Sequence, residues 1–260
     1  MNHKTKSMNT KKTYLLCIIS CEKNKHTKLW IKKYWLNNLI INNENIDYLF
    51  IYGSKNIKNE YEINEDELLL KCDDGYFRLN EKMYKLWFYL LKYHYKSYDF
   101  YIKCDDDNYI HTRKYCKLLQ DTEDINFFGI YNIKRPASIW NNMPTGKWKG
   151  PFYEGPLYWF SINVLKYYCS KVTNSDLIEC RLEDKLFCDI VRDYYPVKVY
   201  NGDIALIGFP KYINYKHSQY SDINIDTYNS AILISNLKEE KDFIFFFNCY
   251  NNEITFNQTN

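Results

Sequence analysis

Three consecutive carboxylates, Asp105, Asp106 and Asp107, follow an apolar and aromatic run from Tyr98 to Cys104. Within that run Phe100, Ile102 and Cys104 alternate with Tyr101 and Lys103, the period of a strand with two different faces. A strand that stops in acids delivers hard oxygen ligands to the rim of a sheet, and in open α/β sheets ligands bind at that rim. Adjacent carboxylates also repel one another, and a divalent cation bridging to a phosphate relieves the repulsion. The chemistry implied is metal-assisted handling of a nucleotide-linked substrate. The plain alternative is a solvated acidic loop that binds nothing. Glu183-Asp184 is the second acidic feature, and by itself it reads as first-turn acids favouring a helix dipole.

Other chemistry-bearing residues each admit two readings. Lys82 is a solvated helix lysine or a phosphate contact, and Lys103 is a local counter-charge to the triplet. Tyr158 and Trp159 are core residues or rings that stack on a ligand. Trp140 and Trp148 sit in a long loop, where exposed tryptophans suit ligand binding.

The elements that must position these residues follow from periodicity. Tyr14–Ser20 is a continuous apolar run of the buried-strand type. Residues 26–41 carry a helical stripe, 47–52 a second strand and 68–72 a third, with 54–66 polar and loop-like between them. Residues 80–95 form a long helix with Tyr84, Trp87, Leu91 and Tyr95 on one face, and 100–104 is the fourth strand. A short helix near 114–119 and a strand over 126–131 come next. Residues 132–153 hold three prolines and two glycines and read as a long loop of the functional kind. Residues 158–169 and 184–194 read as largely helical, 197–200 and 205–207 as short strands, and 243–247 as a buried strand. Strands alternating with helices imply right-handed crossovers and a largely parallel sheet.

Composition bounds the rest. A chain of 260 residues with 46% hydrophobic content suits a globular fold with an ample core. A net charge of +3 argues against nucleic acid or an anionic membrane as the main partner. The 27 Tyr, 15 Phe and 6 Trp are spread along the whole chain and do not mark one site. Nine cysteines, an odd count with no signal-peptide pattern, favour a reducing compartment. No apolar stretch reaches the ~18 residues of a membrane span. The expectation is a loose basic tail over 1–12, a single domain over 13–260 and a cytoplasmic location. Heavy use of Asn, Lys, Ile and Tyr is the pattern of an AT-rich genome, such as that of some large viruses, which would make that cytoplasm a host's.

Four segments together resemble one family. Asp74-Gly75-Tyr76-Phe77-Arg78-Leu79-Asn80-Glu81-Lys82 is similar to the Asp-x-Tyr-x-Asn-Leu-Thr-x-Lys signature of β-1,3-glycosyltransferases, the β-1,3-galactosyltransferase and Fringe group. Lys103-Cys104-Asp105-Asp106-Asp107-Asn108-Tyr109-Ile110 resembles that group's Lys-x-Asp-Asp-Asp-x-Phe-Val. The stretch from Pro151 to Ser161 resembles Pro-Tyr-x-x-Gly-Gly-Gly-Tyr-Val-Leu-Ser, with Pro156 and Leu157 replacing two glycines. Glu183-Asp184 stands where the family has Glu-Asp-Val. The early Arg-x-Thr-Trp appears as Lys32-Lys33-Tyr34-Trp35, its Arg lost.

The resemblance implies a GT-A-like α/β fold with a mostly parallel central sheet flanked by helices. It implies an inverting transferase that moves Gal, GlcNAc or Glc from a UDP-sugar to a hydroxyl of a glycan or glycoprotein acceptor with Mn²⁺ or Mg²⁺. It puts the metal on Asp105 and Asp107, with His217 as a third ligand from a His-Ser pair. Asp105, Asp106, Asp74 and Lys82 would face the nucleotide-sugar, and Asp184 would be the base. Glu183, Gly155, Tyr158 and Trp159 would lie near the acceptor or sugar. Two rival readings are a non-catalytic module whose bulkier Pro156-Leu157 turn closes the site, and a metal-dependent nuclease or phosphatase built on the triplet.

Overall fold

The computed structural model describes residues 11–94, 97–129, 132–133, 139–140, 143–153, 155–197, 206–208 and 231–251. The apolar run Tyr14–Ile19 forms β1, buried along its whole length. The chain adds β2 (Ile46–Gly53), β3 (Tyr61–Asn64), β4 (Glu67–Leu70), β5 (Phe100–Asp105), β6 (Tyr109–Ile110) and β7 (Phe127–Gly129). Four two-residue strands follow: β8 (Asn132–Ile133), β9 (Ile139–Trp140), β10 (Met143–Pro144) and β11 (Phe152–Tyr153). They form two small antiparallel pairs within the stretch that reads as a loop. The last strands are β12 (Leu157–Ser161), β13 (Leu206–Gly208) and β14 (Leu233–Ser235).

The main sheet runs β3-β4-β2-β1-β5-β12-β7. β4, β2, β1 and β5 are mutually parallel, while β12 is antiparallel to both of its neighbours and β3 is antiparallel to β4. From β1 the chain winds to β2 and β4, then returns to the other side of β1 as β5. The winding reverses between β1 and β5, so the crevice beyond their carboxyl ends is a topological switch point.

The helices are α1 (Thr27–Ile31), α2 (Asn37–Asn42), α3 (Leu79–Tyr93), α4 (Thr112–Asp121), α5 (Ile162–Lys171), α6 (Asn174–Glu179), α7 (Glu183–Val191) and α8 (Glu240–Asn251). Lys32–Leu36, between α1 and α2, winds as a π-helical turn. The alternation along β1 and β5 sorts the core into two halves. Leu16, Ile18, Phe100, Ile102 and Trp159 join Trp35, Leu39, Tyr115 and Phe243 from α2, α4, α8 and the π turn. Leu15, Cys17, Tyr101, Tyr158 and Phe160 join Trp87, Leu165 and Phe187 from α3, α5 and α7. Each such large apolar side chain contributes roughly 2 kcal/mol by leaving water.

Several expectations are corrected. Residues 158–169 are not one helix: β12 occupies Leu157–Ser161 and α5 begins at Ile162. Tyr158 and Phe160 face one core half and Trp159 the other, so period-two burial overrides the helical pattern. Residues 243–247 are helical, within α8. Asp242 accepts hydrogen bonds from the Lys238 and Glu239 amides near the start of α8, and Phe243 and Phe246 share its buried face. A short apolar run does not by itself distinguish strand from helix. Within 54–66, β3 pairs with β4 across a tight turn in which Glu65 takes a positive φ of 52°. The strand expected at 205–207 is β13; the one expected at 197–200 lies largely outside the described residues. The eight described cysteines are all free. Among the described residues no helix is long and apolar enough to cross a membrane.

Candidate active site

The carboxyl ends of β1 and β5, the turn before β12 and the start of α7 enclose a cavity of about 880 Å³. β1 runs out into Ser20–Asn24, β5 into Asp105–Asp107, and Gly155, Glu183 and Asp184 complete the inner wall. The acid triplet and the Glu183-Asp184 pair therefore share one cavity.

The three acids have different surroundings. Asp105 keeps 29% of its side chain accessible and pairs with Lys103 at 2.6 Å. Burial pushes its carboxyl up to about 7, against the pull of the Lys103 ammonium and with help from the Asp107 charge. Asp106 is buried and accepts from the Ser20 hydroxyl at 2.7 Å. Burial raises it to about 6, opposed by that hydrogen bond. Asp107 is held by Lys238, 2.6 Å away, while its carbonyl accepts from the Leu237 amide. The turn itself is braced from behind. The Trp35 indole donates to the Asn108 carbonyl at 3.0 Å, and the Tyr109 hydroxyl donates to the Tyr34 carbonyl at 3.2 Å. The π turn places Tyr34 and Trp35 there, and such bulges recur at functional sites.

Across the cavity, Lys103 is 1% exposed at the side chain. It pairs with Asp105 and, at 2.9 Å, with Glu183, and it donates to the Gly155 carbonyl. Burial alone would lower its pKa; Asp105 and Glu183 reverse this and hold the ammonium charged. The other Glu183 oxygen accepts from the Tyr158 hydroxyl at 3.0 Å. Burial first, and the Glu183 charge second, raise the Tyr158 phenol well above its ordinary value. Asp184 lines the cavity with both oxygens oriented by backbone: Oδ2 accepts from the Gly155 amide at 2.8 Å, Oδ1 from the Lys185 amide at 2.6 Å. Both residues of this adjacent pair line the cavity, Glu183 held by Lys103 and Tyr158 and Asp184 held by two backbone amides.

The triplet suits a divalent cation. Asp105 and Asp107 offer hard oxygens at the cavity wall, each also paired to a lysine. Among the described residues no group of three or more His, Cys, Asp or Glu side chains could hold a metal ion by itself. Asp105 and Asp107 are the residues that would hold a divalent cation shared with a phosphate.

Residues 27–202, well over half of the chain, match the family described as Galactosyltransferase. The chain belongs to the galactosyltransferase family. Its large central sheet flanked by helices is consistent with the GT-A-like fold that this membership implies, although the sheet is mixed rather than mostly parallel, with β3 and β12 antiparallel to their neighbours; its activity is glycosyl transfer. A crystal structure of a glycosyltransferase involved in the glycosylation of the major capsid of PBCV-1 is similar over 90% of this chain and 98% of that one. The identity is 10% and the TM-score 0.45. Comparison with the curated proteins finds no match.

The family's motifs fall where the cavity needs them, with local changes of role. Asp74 and Lys82 line the cavity but act as braces. Asp74 accepts from the Gly53 and Glu22 amides and from Lys82, whose ammonium also donates to the Ser20 carbonyl at 2.6 Å. They tie the ends of β1 and β2 together. Tyr158 and Trp159 are each 1% exposed, so the expected stacking of their rings on a sugar is corrected: both belong to the core. Pro156 and Leu157 fit the turn without distorting the sheet. The Pro156 carbonyl accepts from the Asp105 amide and the Asn108 side chain, and Leu157 is buried opposite Cys104 in the sheet. At this turn the tight position is Gly155. A Cβ there would come within 3.0 Å of the Lys103 ammonium and 3.2 Å of Glu183. Trp148 leans on Phe152, and Met143 and Phe152 supply this segment's part of the cavity wall. His217 and the Trp140 side chain lie outside the described residues.

Sequence reasoning passed over Ser20 and Lys238 and gave Lys103 only a local role. Lys103 had a signal: it shares a strand face with Tyr101, so burial of that face demands a partner for the ammonium. Ser20 follows the first strand at the switch point. Lys238 has no local signal, since 131 residues separate it from Asp107.

Proposed function

We propose that the protein transfers a hexose (Gal, GlcNAc or Glc) from a UDP-sugar to a hydroxyl of a glycan or glycoprotein acceptor, with inversion and a β-1,3 linkage. The observation that carries this reading is the shared cavity, with the Asp105–Asp107 triplet at one end and Asp184 at the other, joined through Gly155. A divalent cation such as Mn²⁺ or Mg²⁺, when bound, supplies Lewis-acid stabilisation of the departing diphosphate. Asp105 and Asp107 are the residues that would hold it, with His217 as the proposed third ligand.

Asp184 accepts the proton of the attacking hydroxyl. Its carboxylate plane is set by the Gly155 and Lys185 amides, which spares reorientation during reaction. Its place in the first turn of α7 favours the anion. Asp106, fixed by Ser20, faces the donor's sugar or ribose. The accommodation of Pro156 and Leu157 supports an active enzyme over a closed binding module. A UDP-release assay across UDP-sugars with Mn²⁺ tests the reading. Donor-dependent release that rises with acceptor supports it and names the sugar; calorimetric UDP binding with no turnover of any donor overturns it.

A further inference from the structure

Lys103 is built into the site more deeply than a counter-charge requires. Its side chain leaves β5 on the same face as Tyr101, into the core half under α3, α5 and α7. An ammonium has three N–H donors. Here they meet Asp105 Oδ1 at 2.6 Å, Glu183 Oε1 at 2.9 Å and the Gly155 carbonyl. These acceptors belong to three separate pieces of chain: the end of β5, the first residue of α7 and the turn before β12. The same Gly155 donates its amide to Asp184. One buried charge thus links the first carboxylate of the triplet to the residue that orients Asp184.

We propose that Lys103 is a positioning residue for glycosyl transfer, fixing the placement of Asp184 relative to Asp105 through Glu183 and Gly155. The proposal rests on the functional reading above. A stability role alone explains the arrangement poorly, because a buried ion pair is weak evidence for stability and apolar replacements of similar volume are often neutral. An apolar side chain cannot, however, hold three oxygens from three elements at set distances. Gly155 shows how close the fit is, with space for a Cβ only 3.0 Å from the ammonium.

The test compares wild type, Lys103→Arg, Lys103→Met and the double variant Lys103→Met/Glu183→Gln. The double variant removes the buried ammonium together with one of its two carboxylate partners. Thermal unfolding reports folding, calorimetry reports UDP binding with Mn²⁺, and initial rates separate kcat from KM. The expected result is a folded double variant that binds UDP within about tenfold of wild type but turns over at least ~100-fold slower, the cost of an ångström-scale misplacement. A folded double variant within about threefold of the wild-type kcat overturns the proposal. Where the methionine variants fail to fold, Lys103→Arg decides. It keeps the charge but moves the donors into a planar fork, so a folded protein with kcat down at least ~10-fold supports the proposal and unchanged kcat overturns it. Wild type that neither binds UDP with Mn²⁺ nor turns over any sugar donor overturns the functional reading, and this proposal with it.

Discussion

The molecule holds two lysine–carboxylate networks whose acids are pushed in opposite directions. At the turn between β3 and β4, Lys28 lies 2.5 Å from Asp66 and 2.6 Å from Glu67, with Lys25 3.1 Å from Glu67 and Lys32 also paired to Asp66. Burial alone would raise both carboxyls, but their lysine bonds hold them below the ordinary range. The same lysines lie over three rings of β2: Lys25 over Tyr52, Lys28 over Phe50 and Lys32 over Tyr48, each between 5.3 and 5.6 Å. The spacing of three and four residues from Lys25 to Lys32, across the start of α1 and the π turn, matches the two-residue spacing of the rings along β2. At the end of β5, by contrast, burial wins, and Asp105 and Asp106 rise to about 7 and about 6. There Asp105, Asp106, Asp107 and Glu183 face only Lys103 and Lys238 as direct ion-pair partners among the described residues. The first network has its cations in place and braces the fold. The second lines a cavity with buried carboxyls raised by desolvation, the kind of perturbed group that clusters at functional sites.

The comparison can be broken most decisively at the cavity. Asp107→Ala and Asp184→Asn are each expected to cut transfer by about 10³-fold. Calorimetry should show Mn²⁺-dependent UDP binding lost only in the first. Full turnover by Asp184→Asn would remove it as the base. Next in size is Gly155→Ala, whose Cβ intrudes on Lys103 and Glu183. We expect a loss of stability of about 1–3 kcal/mol in urea unfolding, together with about 100-fold lower kcat. An alanine variant with wild-type rates would show that the junction tolerates slack.

The third prediction reads the opposite signs directly, as unfolding against pH in the presence of a chelator. Glu67 is lowered in the folded state, so its stabilisation is complete above its unfolded value of 4.5 and fades as pH falls through the folded value. Glu67→Gln should flatten that acid limb. Asp106 is raised, so its charge costs stability as pH rises from the unfolded 3.8 through about 6. Asp106→Asn should therefore stabilise the protein by roughly 1–3 kcal/mol at pH values above about 6 and by almost nothing near pH 4. Equal signs for the two variants would erase the contrast. The smallest effect belongs to Lys32→Ala, which removes one ion pair and one cation–π contact from the completed network. It should cost under about 1 kcal/mol in thermal unfolding and leave transfer rates unchanged.

Much of this was legible in the chain. The run Tyr14–Ile19, the helix over Leu79–Tyr93 and the strand Phe100–Asp105 are long or strongly patterned, and local periodicity finds them. The short strands β8 to β11 escape it, because two-residue pairings carry no period. Leu157–Ser161 and Phe243–Phe247 were misassigned in opposite directions, since aromatic runs suit a helix or a strand until a neighbour claims one face. The candidate site followed the same rule. Its residue types at Asp105–Asp107 and Glu183-Asp184 could be read from motifs, whereas their different partners, Lys103 and Tyr158 for Glu183 and backbone amides for Asp184, could not.

By itself the sequence determined which elements carry the chemistry: an acid-ended strand, a Glu-Asp helix start and a glycine-bearing turn, in the order of one family. Those are local facts, set by side-chain period and chain connectivity. Tertiary structure alone decided that Lys103 would be shared between β5 and α7, that Lys238 would reach Asp107 across 131 residues, and that Pro156 and Leu157 would fit the turn. The physical reason is burial. The environment that raises Asp105, keeps Lys103 charged and orients Asp184 exists only once β1, β5, β12 and α7 are packed around their shared junction.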